Sequence, residues 1–256
     1  MIMEMKTKRP LAVLLLILTS FGSVHAQIGQ YRSELALGAS AGYVMSQVGF
    51  MPEVPQLWHG GPTGGITLRY TSEKYFSSIC AIVAEVNYAK IGWKEDILTP
   101  NDQPVINTKT GQPETYQRDQ TYIQVPFLAR LGWGRERKGF QFFFQAGPQA
   151  GFFLSENTKK SFDLSSMNMP SRTSKIVAQD TMNVERRIDY GITAGIGLEF
   201  SHPKAGHFII EGRYYYGLGD IYGNSKSDYF GRSNFSNIVV KFTYLFDLFK
   251  SDQPIK

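Results

Sequence analysis

Beyond the first 26 residues the chain carries three histidines, His59, His202 and His207, the side chains best suited to move protons near neutral pH. A hydrolytic or acyl-transfer centre needs such a base beside a nucleophile and an orienting carboxylate. His59 has no serine or acid at a telling spacing, and His202 and His207 flank a short turn, so all three read as structural or solvent-exposed. Gly217-Leu218-Gly219 closes an extended segment rather than opening a helix, so it makes no phosphate-binding turn. No P-loop, dinucleotide fingerprint or metal-ligand run is present. The lone Cys80 excludes an intrachain disulfide framework and a cysteine-built zinc site. No catalytic, cofactor-binding or metal-binding residue is assigned, no cofactor is expected, and the chain reads as a non-enzyme.

The informative charges are Arg69, Arg130, Arg213 and Lys241 with Glu85, Glu199, Glu211 and Asp189. Each occupies the polar row of a segment in which apolar and polar side chains alternate. The clearest is Arg187 to Phe200. Ile188, Tyr190, Ile192, Ala194, Ile196, Leu198 and Phe200 take one face, and Asp189, Gly191, Thr193, Gly195, Gly197 and Glu199 the other. Successive strand side chains point to opposite faces, so this is a long strand between an apolar and a polar environment. Seven more segments read alike: Leu35–Met45, Gly65–Tyr70, Ile79–Trp93, Tyr122–Trp133, Phe140–Leu154, Phe208–Tyr216 and Ile238–Phe246. Pro126 and Pro148 each remove a ladder donor and mark bulges or water-facing positions.

Connections alternate as strictly as the side chains. Thr71–Ser78, Gly134–Gly139 and Ser201–His207 are short, whereas Ser46–Gly64, Lys94–Thr121, Ser155–Arg186 and Gly217–Asn237 are long and read as loops rather than domains. This is the rhythm of an up-and-down barrel in an outer membrane, with tight periplasmic turns and long external loops. The polar row of Gly, Ser, Thr and Gln suits a narrow lumen better than bulk water, which favours lipid over solvent on the apolar row. Aromatics near strand ends (Tyr70, Trp93, Trp133, Phe140, Phe200, Phe208, Tyr244 and Phe246) suit girdles at the two interfaces. The expected fold is all-β: one eight-stranded antiparallel up-and-down transmembrane β-barrel with short periplasmic turns and four long extracellular loops. An interior this narrow fills with side chains, and these eight charges, four basic and four acidic, read as a mutually neutralising plug rather than an ion pathway.

The N-terminus has the layout of a signal peptide: Lys6, Lys8 and Arg9, an apolar run from Leu11 to Leu18, and Val24-His25-Ala26 at the cleavage site. Residues 1–26 are read as this leader and 27–256 as the barrel domain. Its removal takes away three basic groups and Glu4, so part of the formal charge of +5 is lost on export.

Several segments resemble the PorT-like outer-membrane β-barrel proteins of Bacteroidetes. They are Glu85-Val86-Asn87-Tyr88 with Gly92, Tyr122-Ile123-Gln124-Val125-Pro126, Gln145-Ala146-Gly147-Pro148, Arg213-Tyr214-Tyr215-Tyr216-Gly217-Leu218 with Ile221, and the terminal Tyr244-Leu245-Phe246. The resemblance covers about residues 30–246, in order, and carries over no active-site residue. It implies an aromatic last strand read by the barrel assembly machinery, although Asp247–Lys256 extend beyond it. The family's namesake belongs to the type IX secretion machinery. Expected partners are outer-membrane lipid and lipopolysaccharide, the assembly machinery, and envelope proteins met through the loops. Nucleic acid is excluded, because the basic run at residues 135–138 falls on a periplasmic turn. A secretion role, a small-solute pore and an outer-membrane lipid-modifying enzyme remain the alternatives.

Overall fold

A computed structural model describes residues 30–135, 137–223 and 229–250. The leader read at residues 1–26 lies outside them. Among the described residues nine strands form: β1 (Gln30–Met51), β2 (Gln56–Leu57), β3 (His59–Tyr75), β4 (Ser78–Glu95), β5 (Tyr116–Gly134), β6 (Gly139–Lys160), β7 (Ile188–His202), β8 (Gly206–Gly217) and β9 (Arg232–Lys250). Eight of them are staves in the order β4-β3-β1-β9-β8-β7-β6-β5, and β4 pairs with β5 to close the ring. Every neighbouring pair is antiparallel. Closure leaves no open sheet edge in the hydrocarbon, where unpaired backbone groups would be costly. The short β2 sits on the outer rim, with Gln56 opposite Glu95 and Leu57 opposite Lys94.

The two faces fall as the alternation requires. Ile188, Ile192, Ile196 and Leu198 are exposed on the outside, while Gly191, Thr193, Gly195, Gly197 and Glu199 are buried within. The inward glycines have a steric cause. A Cβ on Gly195 would lie 2.7 Å from the Arg213 Cγ, and one on Gly197 would lie 2.4 Å from the Phe143 ring. Small residues on β7 make room for large ones on the neighbouring staves.

The strands overrun their expected ends. β1 and β6 each run 22 residues, whereas about ten span the hydrocarbon. The added length lies at both ends: on the periplasmic side Gln30 pairs with Lys74, and above the outer interface polar outward residues such as Gln117 and Lys159 interrupt the alternation but the ladder continues, Gln117 opposite Lys159. All three short gaps shrink accordingly: Tyr75, for one, pairs with Ser78, so the first turn is Phe76-Ser77, with Phe76 in the left-handed region at φ 52°.

The prolines coincide with gaps in the ladder. The β4–β5 pairing lapses between Ala84↔Phe127 and Asn87↔Gln124, where Pro126 has no N–H to give. The β5–β6 pairing lapses between Pro126↔Gln149 and Ala129↔Ala146, beside Pro148. Pro126 faces the lumen and Pro148 faces outward, and the register is the same on both sides of each gap, so of the two expected settings, bulge or water-facing position, neither proline makes a bulge.

The girdle assignment also changes. Tyr70, Trp133, Phe140, Phe200, Phe208, Tyr244 and Phe246 all lie towards the periplasmic end. Trp93 belongs to neither girdle: it is wholly buried in the lumen. Its parity decides this, because Tyr88 points outward and residue 93 falls on the opposite face of the same strand. The outer belt is instead formed by Tyr43, Tyr88, Tyr190 and Tyr216, all exposed.

Candidate functional site: the filled lumen and the external cap

The inward charges meet in the periplasmic half of the lumen. Glu85 on β4 accepts from Arg213 Nη1 at 2.8 Å and Nη2 at 2.6 Å, from Lys241 Nζ at 2.6 Å and from Asn87 Nδ2 at 2.8 Å. Glu199 on β7 accepts from Arg69 at 2.8 Å and from Arg130, whose guanidinium lies over the Phe143 ring at 3.5 Å. Glu211 lies 2.8 Å from Arg213, 3.2 Å from Lys241 and accepts from Gln145 Nε2 at 2.7 Å. Seven of the eight charges anticipated from the sequence are thus joined. The eighth, Asp189, is buried but stands apart, taking the Tyr215 hydroxyl at 2.6 Å further out. Burying such ions costs several kcal/mol each, which pairing and hydrogen bonding must offset. The space left among Arg69, Glu85, Arg130 and Arg213 is about 10 Å³, room for about one water.

His59 and His207 are buried rather than solvent-exposed, and each sits in a Ser–His–Asp chain. His59 Nε2 lies 2.8 Å from Asp119 Oδ1, and its Nδ1 lies 3.4 Å from Ser46 Oγ. His207 Nε2 lies 3.0 Å from Asp247 Oδ1, and its Nδ1 faces both Ser201 Oγ at 2.8 Å and Glu199 Oε1 at 2.7 Å. His202 is exposed and accepts at Nδ1 from the N–H groups of Lys204 and Ala205, at 3.3 and 3.2 Å, holding the last turn. Sequence reasoning missed the first chain because Asp119 is 60 residues from His59. Only the β1–β3 register, Ser46 opposite His59, would have disclosed the serine.

Neither chain offers a nucleophile. Ser46 is fully buried, donates to the Gly92 carbonyl at 2.9 Å and accepts the Gly92 N–H at 2.9 Å. It thereby fills a ladder gap, since β3–β4 pairing begins only at Thr63↔Ala89 while β4–β5 pairing reaches Lys94. Ser201 is likewise sealed, with Glu199 competing for the same histidine nitrogen. These groups tie staves together. Among the described residues no group of three or more His, Cys, Asp or Glu is placed to hold a metal ion.

An apolar cluster runs through the outer half of the lumen, among buried polar groups such as Ser46, Arg118 and Gln120, and continues into the loops. Phe50 packs on Trp93 at 5.4 Å and on Phe230 at 4.9 Å, and Tyr222 stacks on Phe230 at 5.9 Å. Val54, Ile97, Val105, Phe162 and Ile221 from the four long loops join the same cluster. These loops therefore fold into a cap whose core is continuous with the barrel interior. Polar rivets hold it. Arg172 donates to Glu114 at 2.9 and 2.8 Å, and Arg118 reaches the Met182 carbonyl at 2.6 Å. Burial pushes the Glu114 carboxyl up, but the Asn168 N–H and Arg172 outweigh it and hold Glu114 below the usual range. Glu95 goes the other way: burial, then the nearby Asp180 carboxyl, push it well above the ordinary carboxylate range, and Asp180 is raised by burial too.

The inward-facing residues of the motifs noted in the sequence are contact residues, some with one another and some with residues outside the motifs. Glu85 pairs with Arg213, Gln145 bonds Glu211, and Tyr122 is buried against Phe235.

No curated protein matches the chain. Among solved structures, Neisserial surface protein A is 10% identical with a TM-score of 0.40, over 83% of this chain and 97% of that one. The outer membrane protein OprG from Pseudomonas aeruginosa is 13% identical with a TM-score of 0.38, over 85% and 98%. The outer membrane enzyme PagL is 10% identical with a TM-score of 0.32, over 80% and 98%. A family model described as the outer membrane protein beta-barrel domain matches residues 25–223. With a closed ring of eight antiparallel staves, a greasy exterior and a polar interior already in view, the chain belongs to the outer membrane protein beta-barrel domain family.

Proposed function

We propose that this outer-membrane barrel is neither a pore nor an enzyme and acts through its external cap on other envelope components. The observation that carries the reading is the division of labour inside the tube. A charge network leaves room for about one water, so a solute path is blocked, while four loops are folded together on one side. Purified protein in planar bilayers is expected to give flat current traces. In cross-linked envelopes, replacing residues 162–184 by a short glycine-serine linker is expected to remove captured partners while the barrel still migrates as a folded species. Steady conductance, or capture unchanged by the loop replacement, would refute the reading.

The PorT-like segments support a finer version, in which the partner belongs to protein export across the outer membrane. Cargo stranded in the periplasm of a deletion strain is the expected result, and normal cargo release contradicts it. Export itself is proposed to use the leader at residues 1–26, with mature protein beginning at Gln27 and the aromatic end of β9 presented to the assembly machinery. N-terminal sequencing of the membrane-extracted protein tests the first point.

A further inference from the structure

The charge network in the periplasmic half of the lumen does not balance. Arg69, Arg130, Arg213 and Lys241 bring four formal positive charges, and Glu85, Glu199 and Glu211 bring three negative ones, an excess of one. Nearby groups do not cancel it. Asp247 is paired with Lys250 at 2.7 Å, and Asp189 stands further out against Tyr215. His207, between Glu199 and Asp247, adds no negative charge in either of its protonation states. An uncompensated buried charge is costly, so a counter-charge beside it is stabilising.

The cavity of about 10 Å³ inside this network is built to receive one. Thr67 and Arg69 of β3, Arg213 of β8 and Thr243 of β9 border it, and each is more than nine-tenths buried. Arg69 Nε, Arg213 Nε, Thr67 Oγ1 and Thr243 Oγ1 have no hydrogen-bond partner among the described residues. Arg130, Glu85 and Glu211 border the same space, so three guanidinium groups face it against two carboxylates. Both carboxylates are engaged elsewhere. Glu85 accepts from Arg213, Lys241 and Asn87, and Glu211 is ion-paired to Arg213 and Lys241 and accepts from Gln145. A water would bring two hydrogens in need of acceptors and no charge. A particle of about that size that only accepts, and carries one negative charge, answers both the unpartnered donors and the excess.

We infer that the lumen holds one halide ion, chloride, taken up as the barrel folds. Arg69 Nε, Arg213 Nε and the hydroxyls of Thr67 and Thr243 are its donors, and Arg130 adds positive charge at the edge of the cavity. The ion is a fixed counter-charge that completes the plug and joins β3 to β8 and β9. Its seat is independent of the external cap and of any partner the cap has.

The test refolds the protein from urea into detergent micelles in sodium bromide, desalts it into sodium gluconate and counts the retained bromide by elemental mass spectrometry. The native chain is expected to keep about one bromide per barrel, since the cavity takes one particle. Anomalous diffraction at the bromine edge should place that ion between Arg69 and Arg213. Thr67→Val with Thr243→Val should lower retention at least about tenfold, the weight of one hydrogen bond to an ion. Lys241→Met, which removes the excess charge without touching the donors, should release the halide as well. Thr193→Val should leave the count unchanged, because that buried hydroxyl already donates to the Tyr214 carbonyl at 3.2 Å, away from the cavity. Heat-modifiable gel migration verifies that each variant is a folded barrel. A native chain without bromide overturns the inference, as does a bromine site elsewhere or equal retention by the double valine variant. Should that variant not fold, the native count and the position of the ion decide by themselves.

Discussion

The periplasmic and outer halves of the lumen fill the same narrow tube by opposite means. Below, Glu85, Glu199 and Glu211 are locked to Arg69, Arg130, Arg213 and Lys241, drawn from β3, β4, β5, β7, β8 and β9. Above, Phe50, Trp93, Tyr222 and Phe230 form an aromatic core that the loops complete. In a membrane protein the outside is committed to lipid, so the interior must supply specificity. Ion pairs are directional and costly to misplace, which suits setting the register of six staves. Apolar contacts are tolerant of direction and suit the docking of loops whose backbones are irregular.

Removing one ion separates the halves most sharply. Glu85→Ala leaves Arg213 and Lys241 buried without their shared carboxylate and is expected to cost about 3–5 kcal/mol of whole-barrel stability. Urea unfolding in lipid vesicles followed by tryptophan fluorescence would read this, and a loss confined to the loops would refute the division drawn here. Phe50→Ala removes the ring shared by Trp93, Tyr222 and Phe230 and is expected to cost about 3 kcal/mol, expressed as cap opening rather than barrel unfolding. Limited proteolysis should then cut the loops while the core resists; a barrel that unfolds as one would show that the halves are not separable.

The smallest effect concerns pH. In the folded cap the Glu95 carboxyl keeps its proton above the ordinary carboxylate range, because burial and then Asp180 disfavour its charge. The unfolded loop releases that proton earlier, so the folded state binds more protons and cap stability falls as pH rises through and beyond that range. Hydrogen exchange of residues 176–184 should be faster at pH 8 than at pH 5, and Glu95→Gln should flatten the difference. Exchange that slows with pH, after correction for intrinsic rates, would contradict the assignment.

Legibility followed the range of the interactions. The alternation in Arg187–Phe200 is a local pattern, and it revealed stave, facing and neighbours' inward charges alike. Trp93 was equally legible, since its parity with Tyr88 was present in the sequence, but its place near a strand end suggested a girdle instead. His59 was not legible at all: its partners are supplied by β1 and β5, and only closure of the ring brings them within reach. The cap was hidden for the same reason, since Arg118 finds the Met182 carbonyl 64 residues along the chain.

The sequence by itself determined which side chains face hydrocarbon and which face the lumen, because a two-residue period has one solution once one face is apolar. Tertiary structure alone decided which inward groups touch. Stagger between staves brings residues far apart in the chain to one level, and that stagger is a property of the closed ring. It joined seven charges into a plug, left Asp189 with Tyr215, and turned four loops into one folded cap.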